Sequence, residues 1–163
     1  MASRVFVGFS STDIDYFNLM KAWKKNENID FDFIDLQIDK EINSDNEKYI
    51  KGILRKKITS SGTFIQIIGQ DTKSKHKYVR WEADIALEKN CRIIGININK
   101  LMSMDTTLTP PILKNTGSIF VPFNAKIVKY SLDNYKQHEN DDWHYKTSVY
   151  DDLGIGHNGT KIY

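Results

Sequence analysis

Five short apolar runs, each parted from the next by a helical or loop segment, constrain the fold of this chain more than any other feature. They are RVFVGF (4–9), FDFIDL (31–36), TFIQIIG (63–69), RIIGINI (92–98) and SIFVP (118–122). Such near-continuous apolar runs are the mark of strands buried on both faces of a sheet. Between the first two, Tyr16, Leu19, Met20 and Trp23 recur at i, i+3, i+4 and i+7, which predicts a helix facing the core, with Ser10-Ser11-Thr12 as cap residues. Before the third, Ser44 and Glu47 read as an S-x-x-E capping box, opening a helix with Tyr49, Ile50, Ile53 and Leu54 inward. KYVRWEADIALEKN (77–90) predicts a third helix, with Val79, Ala83, Ala86 and Leu87 inward.

Strands alternating with helices imply a parallel sheet covered on both sides, joined by right-handed crossovers. The expected fold class is α/β, a flavodoxin-like three-layer sandwich with a five-stranded parallel sheet in the order 2-1-3-4-5. Pro110-Pro111 forbid a regular helix between the fourth and fifth strands, so a loop with at most one helical turn is expected there. The chain divides into an α/β domain over 1–132 and a polar extension over 133–163. In the extension Trp143, Tyr145 and Tyr150 are candidate anchors, and the segment is placed to guard the edge of the fifth strand or to reach a partner.

Composition narrows the function classes. Net charge is +2, with Lys and Asp/Glu mixed along the chain rather than gathered in a basic stripe, so no nucleic-acid partner is expected. No apolar run approaches the ~18 residues that would cross a bilayer, so no membrane span is expected. The single cysteine, Cys91, excludes an internal disulfide framework and fits a reducing compartment. No signal peptide is read at MASRVFVGF, and a cytoplasmic location is expected.

One residue of the third helix is out of place. Glu82 falls at the edge of the apolar stripe, with Tyr78 and Val79 one turn before it and Ile85 and Ala86 one turn after. No Lys or Arg along the helix is spaced to pair with it. A carboxyl among apolar neighbours is desolvated and its pKa rises, which suits it to hold a hydroxyl or to face a developing cation. The alternative is that Glu82 bends outward or pairs with Arg55 or Lys56 of the neighbouring helix. In open α/β sheets ligands bind at the carboxyl ends of the strands where strand order reverses, here between the first and third. Phe9, Ser10 and Ser11 follow the first strand, Asp35 closes the second, and Gln70 follows the third.

Other motifs fail their required context. GIGHNG (154–159) looks like a phosphate loop but has no strand before it and no helix after it. His138, Asp141, Asp142 and His144 match no common metal-ligand spacing, so no metal is expected. A phosphoreceiver needs acidic residues after the first strand, where this chain has Phe-Ser-Ser. No G-x-S-x-G elbow is present for serine-hydrolase chemistry.

RVFVGFSSTD together with YVRWEADIALEKNCRIIGI resembles the bacterial TIR-like domains of the Thoeris anti-phage type, over roughly residues 4–130. The resemblance implies cleavage of the nicotinamide–ribose bond of NAD, as substrate rather than cofactor, with Glu82 as the essential helix glutamate. It implies substrate contacts from Phe9, Ser10, Ser11, Asp35, Gln70 and Trp81, with the loop over 35–43 bordering the site or a neighbour. The product would be linear or cyclic ADP-ribose, the cyclic form being a signal read by a separate effector protein, and TIR–TIR self-association is a further expectation. The loop after the second strand, LQIDKEINSDN, has no feature matching catalytic TIR proteins, and the fourth-to-fifth connection is long and Pro-containing where many TIR domains carry a helix. The alternatives are a non-catalytic TIR-like scaffold or interaction module, and a receiver-like nucleotide-binding domain.

Overall fold

All six residues of Thr63–Ile68 are buried, and they form the central strand of the sheet. The computed structural model describes residues 3–35, 47–74 and 77–156. In chain order the strands are β1 (Ser3–Gly8), β2 (Phe31–Ile34), β3 (Thr63–Ile68), β4 (Arg92–Asn97), β5 (Ser118–Pro122) and β6 (Asp142–Trp143). The helices are α1 (Ile14–Asn26), α2 (Glu47–Ser61), α3 (Lys77–Glu88), α4 (Ala125–Asn134) and α5 (Thr147–Asp152). The sheet order is β2-β1-β3-β4-β5-β6, and every pairing is parallel. The flavodoxin-like architecture is therefore as expected, with a sixth strand added beyond β5.

Alternation along the strands splits the core in two. Val5, Val7, Ile65, Ile67, Ile94 and Ile96 face the side covered by Phe17 and Met20 of α1, Ile127, Val128 and Leu132 of α4, and Tyr150 of α5. Phe6, Phe64 and Ile93 face the other side, covered by Ile50, Leu54 and Ile58 of α2 and Ala83, Ile85 and Ala86 of α3. The Pro110-Pro111 segment holds a single 3-10 turn, Pro111–Leu113, as the prolines require.

Several details differ from the sequence expectation. Leu19 and Tyr49 are exposed, because Phe17 and Ile50 take the inward positions one residue or two away. Ser10 and Ser11 do not cap α1. Ser11 opens a 3-10 turn ending at Asp13, and neither that turn nor α1 has a side-chain cap at its N-terminus. The box residue Ser44 lies outside the described residues, as does most of the 35–43 loop. The segment after β5 forms α4, whose first turn is capped by Asn124 Oδ1 accepting from Lys126 N and Ile127 N. Arg92 closes its other end, donating to Leu132 O at 2.7 Å and Tyr135 O at 3.2 Å.

The extension is part of the sheet. Gly117 N donates to Asp141 O at 2.9 Å and His138 N donates to Gly117 O at 3.2 Å, which leads into the β5–β6 pairing. Gly117 has φ +79°, and a Cβ there would stand 1.9 Å from His138 O, so the approach needs glycine. Tyr150, one of the expected anchors, is fully buried; Tyr145 is half-buried; Trp143 stays exposed but stacks on His138. Among the described residues no helix is long and apolar enough to cross a membrane.

Candidate functional site

β1 ends at Gly8, on the face covered by α2 and α3. A Cβ on Gly8 would stand 2.5 Å from Glu82 Oε2 and 3.0 Å from Phe64 Cζ. The missing side chain is thus the space that the Glu82 carboxyl occupies. Glu82 reaches it because it is on the inner edge of α3, one position from Ala83, which is fully buried. The residue is only 7% exposed, and Oε2 has no hydrogen-bond partner. No ion pair to Glu82 occurs among the described residues, and Arg55 instead lies 3.9 Å from Glu88. Burial pushes the Glu82 carboxyl well above the ordinary glutamate range, and the nearby charge of Asp35 pushes it further the same way.

Asp35 follows β2 at the same carboxyl edge of the sheet; its carbonyl accepts from Lys57 Nζ at 3.1 Å. Trp81 is half-buried on the same side. Its ring meets Tyr78 edge to face at 5.3 Å, with Lys51 Nζ 4.4 Å and Lys77 Nζ 5.6 Å from its centroid. Two aromatic rings of α3 and two lysines thus form a cationic, aromatic cluster on the α2–α3 side of the sheet. Arg80 is exposed on the solvated face of α3.

The remaining expected residues sit elsewhere. Phe9 packs on the opposite face of the sheet, stacked on Phe17 of α1 at 4.8 Å. Ser10 is fully buried; its Oγ is 3.0 Å from Thr12 Oγ1, which donates to Asp71 Oδ2 at 3.2 Å. This chain of hydroxyls ties the loop after β1 to the loop after β3. Ser11 is exposed on its 3-10 turn. Gln70 is exposed and lines an open groove with Thr12, Tyr16 and Asn99, at the carboxyl ends of β3 and β4. The structure thus sets the charge of Asp35 near Glu82 and Trp81 on the same side of the sheet, and puts Phe9, Ser10, Ser11 and Gln70 on the α1 side or around that groove.

Two residues beside Glu82 carry no flag in the sequence reading. Gly8 lies inside one apolar run and Gln66 inside another. Gln66 is fully buried, and its Nε2 donates to Gly8 O at 3.1 Å and Ile67 O at 3.2 Å. An amide in a strand buried on both faces has no water to bond, and that was the signal available. His138, set aside as a metal ligand, has Nδ1 3.2 Å from Tyr135 Oη. No group of three His, Cys, Asp or Glu able to hold a metal occurs among the described residues.

Comparison with known proteins places this geometry in context. The family model described as Thoeris protein ThsB, TIR-like domain, matches residues 6–103, which include Gly8, Gln66 and Glu82. No curated protein sequence matches the chain. Among solved structures, the crystal structure of a conserved protein from Enterococcus faecalis V583 is similar at 12% identity and a TM-score of 0.48, over 94% of this chain and 86% of that one.

Proposed function

Because the chain belongs to the Thoeris ThsB TIR-like family, a TIR-type domain of anti-phage defence, we propose that it cleaves the nicotinamide–ribose bond of NAD, with Glu82 as the catalytic residue. The single observation that carries this reading is the Glu82 carboxyl, buried above Gly8 with Oε2 unpartnered. An ionisable carboxyl buried without an ion pair is costly to a fold even when it is hydrogen-bonded, so its retention calls for a use.

The chemistry suits a carboxyl in that seat. Breaking an N-glycosidic bond builds oxocarbenium charge on the ribose, and nicotinamide leaves as a neutral molecule, so no general acid is needed at the leaving group. In the free protein, burial favours the protonated form of Glu82. A ribose diol and a growing positive charge beside it favour the carboxylate, whose proton passes to solvent as the substrate binds; the carboxylate then stabilises the transition state more than the ground state. Trp81 and Asp35 are the substrate contacts this reading takes from the expected set; Phe9, Ser10, Ser11 and Gln70 would act through the loops. Water attacking the ribose C1′ gives ADP-ribose and releases one proton. A hydroxyl or ring nitrogen of the same molecule gives a cyclic isomer instead, the form suited to a signal read by a separate effector.

The test is nucleotide profiling by mass spectrometry in cells expressing wild type or Glu82→Gln, with and without phage. The expected result is an ADP-ribose-type ion with wild type alone, cyclic and linear products being separated by chromatography. The same ion at the same level with soluble Glu82→Gln would overturn the role of Glu82. A second reading, a TIR-like module that acts by self-association or by docking an effector, is favoured by Phe9 and Ser10, which pack against Phe17 and Thr12 rather than toward Glu82. It predicts no such ion under any condition.

A further inference from the structure

Gln66 stands in a row of the sheet that runs Gly8, Gln66, Gly95, Phe120 across β1, β3, β4 and β5. It is flanked by glycine on both sides. The space over Gly95 is filled by Phe120, whose Cδ1 would be 2.5 Å from a Cβ there. The space over Gly8 is filled by the Glu82 carboxyl. Gln66 and Glu82 therefore approach the same glycine from two directions, one across the sheet and one from the helix above it.

The orientation of the Gln66 carboxamide is decided by its partners. Two carbonyl oxygens, of Gly8 and Ile67, lie 3.1 and 3.2 Å from one terminal atom of the side chain. Only the NH2 end can donate to both, so a flipped amide would set oxygen against oxygen. The other end is then Oε1, buried and without a donor. Glu82 Oε2 is likewise buried without a partner. Gly8 is thus flanked by two buried acceptors without donors, and one hydrogen bond can serve both only if one of them carries a proton. A carboxamide oxygen does not ionise or gain a proton at ordinary pH, whereas a carboxyl can hold one.

We propose that Gln66 is the positioning residue of the Glu82 site: its locked carboxamide offers Oε1 as the acceptor for the Glu82 carboxyl proton and so holds the acid over Gly8 in one orientation. The pairing satisfies both orphaned atoms with one hydrogen bond. When the carboxyl gives up its proton, that bond is lost and Oε1 turns from a partner into a repulsive neighbour, so the side chain is released to turn toward a ligand. Gln66 acts through Glu82 and needs no contact with substrate. Its effect on rate rests on the reading of Glu82 as catalytic; the pairing itself does not.

The experiment is infrared spectroscopy of the purified protein labelled with carbon-13 glutamate. The Glu82 band is assigned by its loss in Glu82→Gln. The carbonyl stretch of a protonated carboxyl is lower when its O–H is donated than when it is free. The expected result is a protonated band at the hydrogen-bonded position in wild type, moved to the free position in Gln66→Met, with the thermal melt of that variant still cooperative. A band at the free position in wild type, no protonated band, or an unmoved band in folded Gln66→Met would each overturn the proposal. If Gln66→Met does not fold, the wild-type band position decides alone. None of these readouts needs NAD, so a failed pairing and a failed activity are told apart. Where cleavage is measured, Gln66→Met should lower kcat and leave KM near the wild-type value.

Discussion

Replacing Gly8 with alanine adds a single methyl at the point where β1, α3 and Glu82 meet. The new Cβ would stand 2.5 Å from Glu82 Oε2, 3.0 Å from Phe64 Cζ and 3.1 Å from Phe64 Cε1. Gly8 does not lie in the left-handed backbone region, so alanine brings no strain of its own and gains ~0.4–1 kcal/mol from a stiffer unfolded chain. Against that, overpacking a filled interior costs ~1–3 kcal/mol. The net expectation is a loss of about 0.5–2 kcal/mol, or a Tm lower by roughly 1–8 °C for a domain of this size. The Phe64 ring is held between strands and helices, whereas the carboxyl is the far end of a side chain with three torsions, so Glu82 is the group that moves. Thermal melts of wild type, Gly8→Ala, Glu82→Ala and the double variant form a closed cycle. The cost of Gly8→Ala should shrink by ~0.5 kcal/mol or more when Glu82 is also shortened, the residue coming from Phe64. If the full cost persists in the Glu82→Ala background, the carboxyl does not sit over Gly8, and the site as described is refuted. Gly8→Ala should also lose product formation at least tenfold while remaining folded.

Three further outcomes can be checked on purified protein. Glu82 binds its proton more tightly in the folded chain, so its stabilising contribution is complete below the ordinary value of 4.5 and is lost as pH rises through the raised folded value. Glu82→Gln has no such proton, so its stability should gain on wild type by about 1.4 kcal/mol per pH unit across that window, and parallel Tm curves would contradict the burial of an ionisable group. Tyr150 is fully buried with Oη unpartnered, so Tyr150→Phe should leave stability unchanged or raise it by about 1 kcal/mol, whereas a loss of that size in chemical denaturation would reveal a bond to the hydroxyl. Burial pushes the Cys91 thiol up, so it should react with a thiol reagent far more slowly in the folded protein than in denaturant, and equal rates would show that the residue opens to solvent.

Glu82 was legible in the sequence because it breaks a helical period: a carboxyl in an apolar stripe stands out against Val79, Ala83 and Ala86. Gln66 was not, because TFIQII has no period to break, and one amide in a strand buried on both faces looks like ordinary variation. The strands were readable as runs because their neighbours are hidden on both sides, whereas helix faces were readable only to within a residue, which is how Leu19 and Tyr49 were assigned inward. Helix α4 has its signals in the sequence, Asn124 at the cap and Ile127, Val128, Ser131 and Leu132 on the buried face, but it is only ten residues long and runs straight into the polar extension, which blurs its period. β6 has two residues, too few to show alternation. The separation of Phe9 from Glu82 depends on β1 parity, since Gly8 and Phe9 point to opposite faces, and a reading that places both at one strand end does not resolve them.

The burial of Tyr150 in the α1 side of the core also sets an order of events during synthesis. Helices α1 and α4 can pack on the sheet as soon as residue 134 has emerged, but the face they leave open waits for a tyrosine 16 residues later in the chain. Until then a nascent chain presents an apolar patch and the unpaired margin of β5, the two features that invite premature contacts. The segment that carries β6 and Tyr150 is therefore the one that covers both.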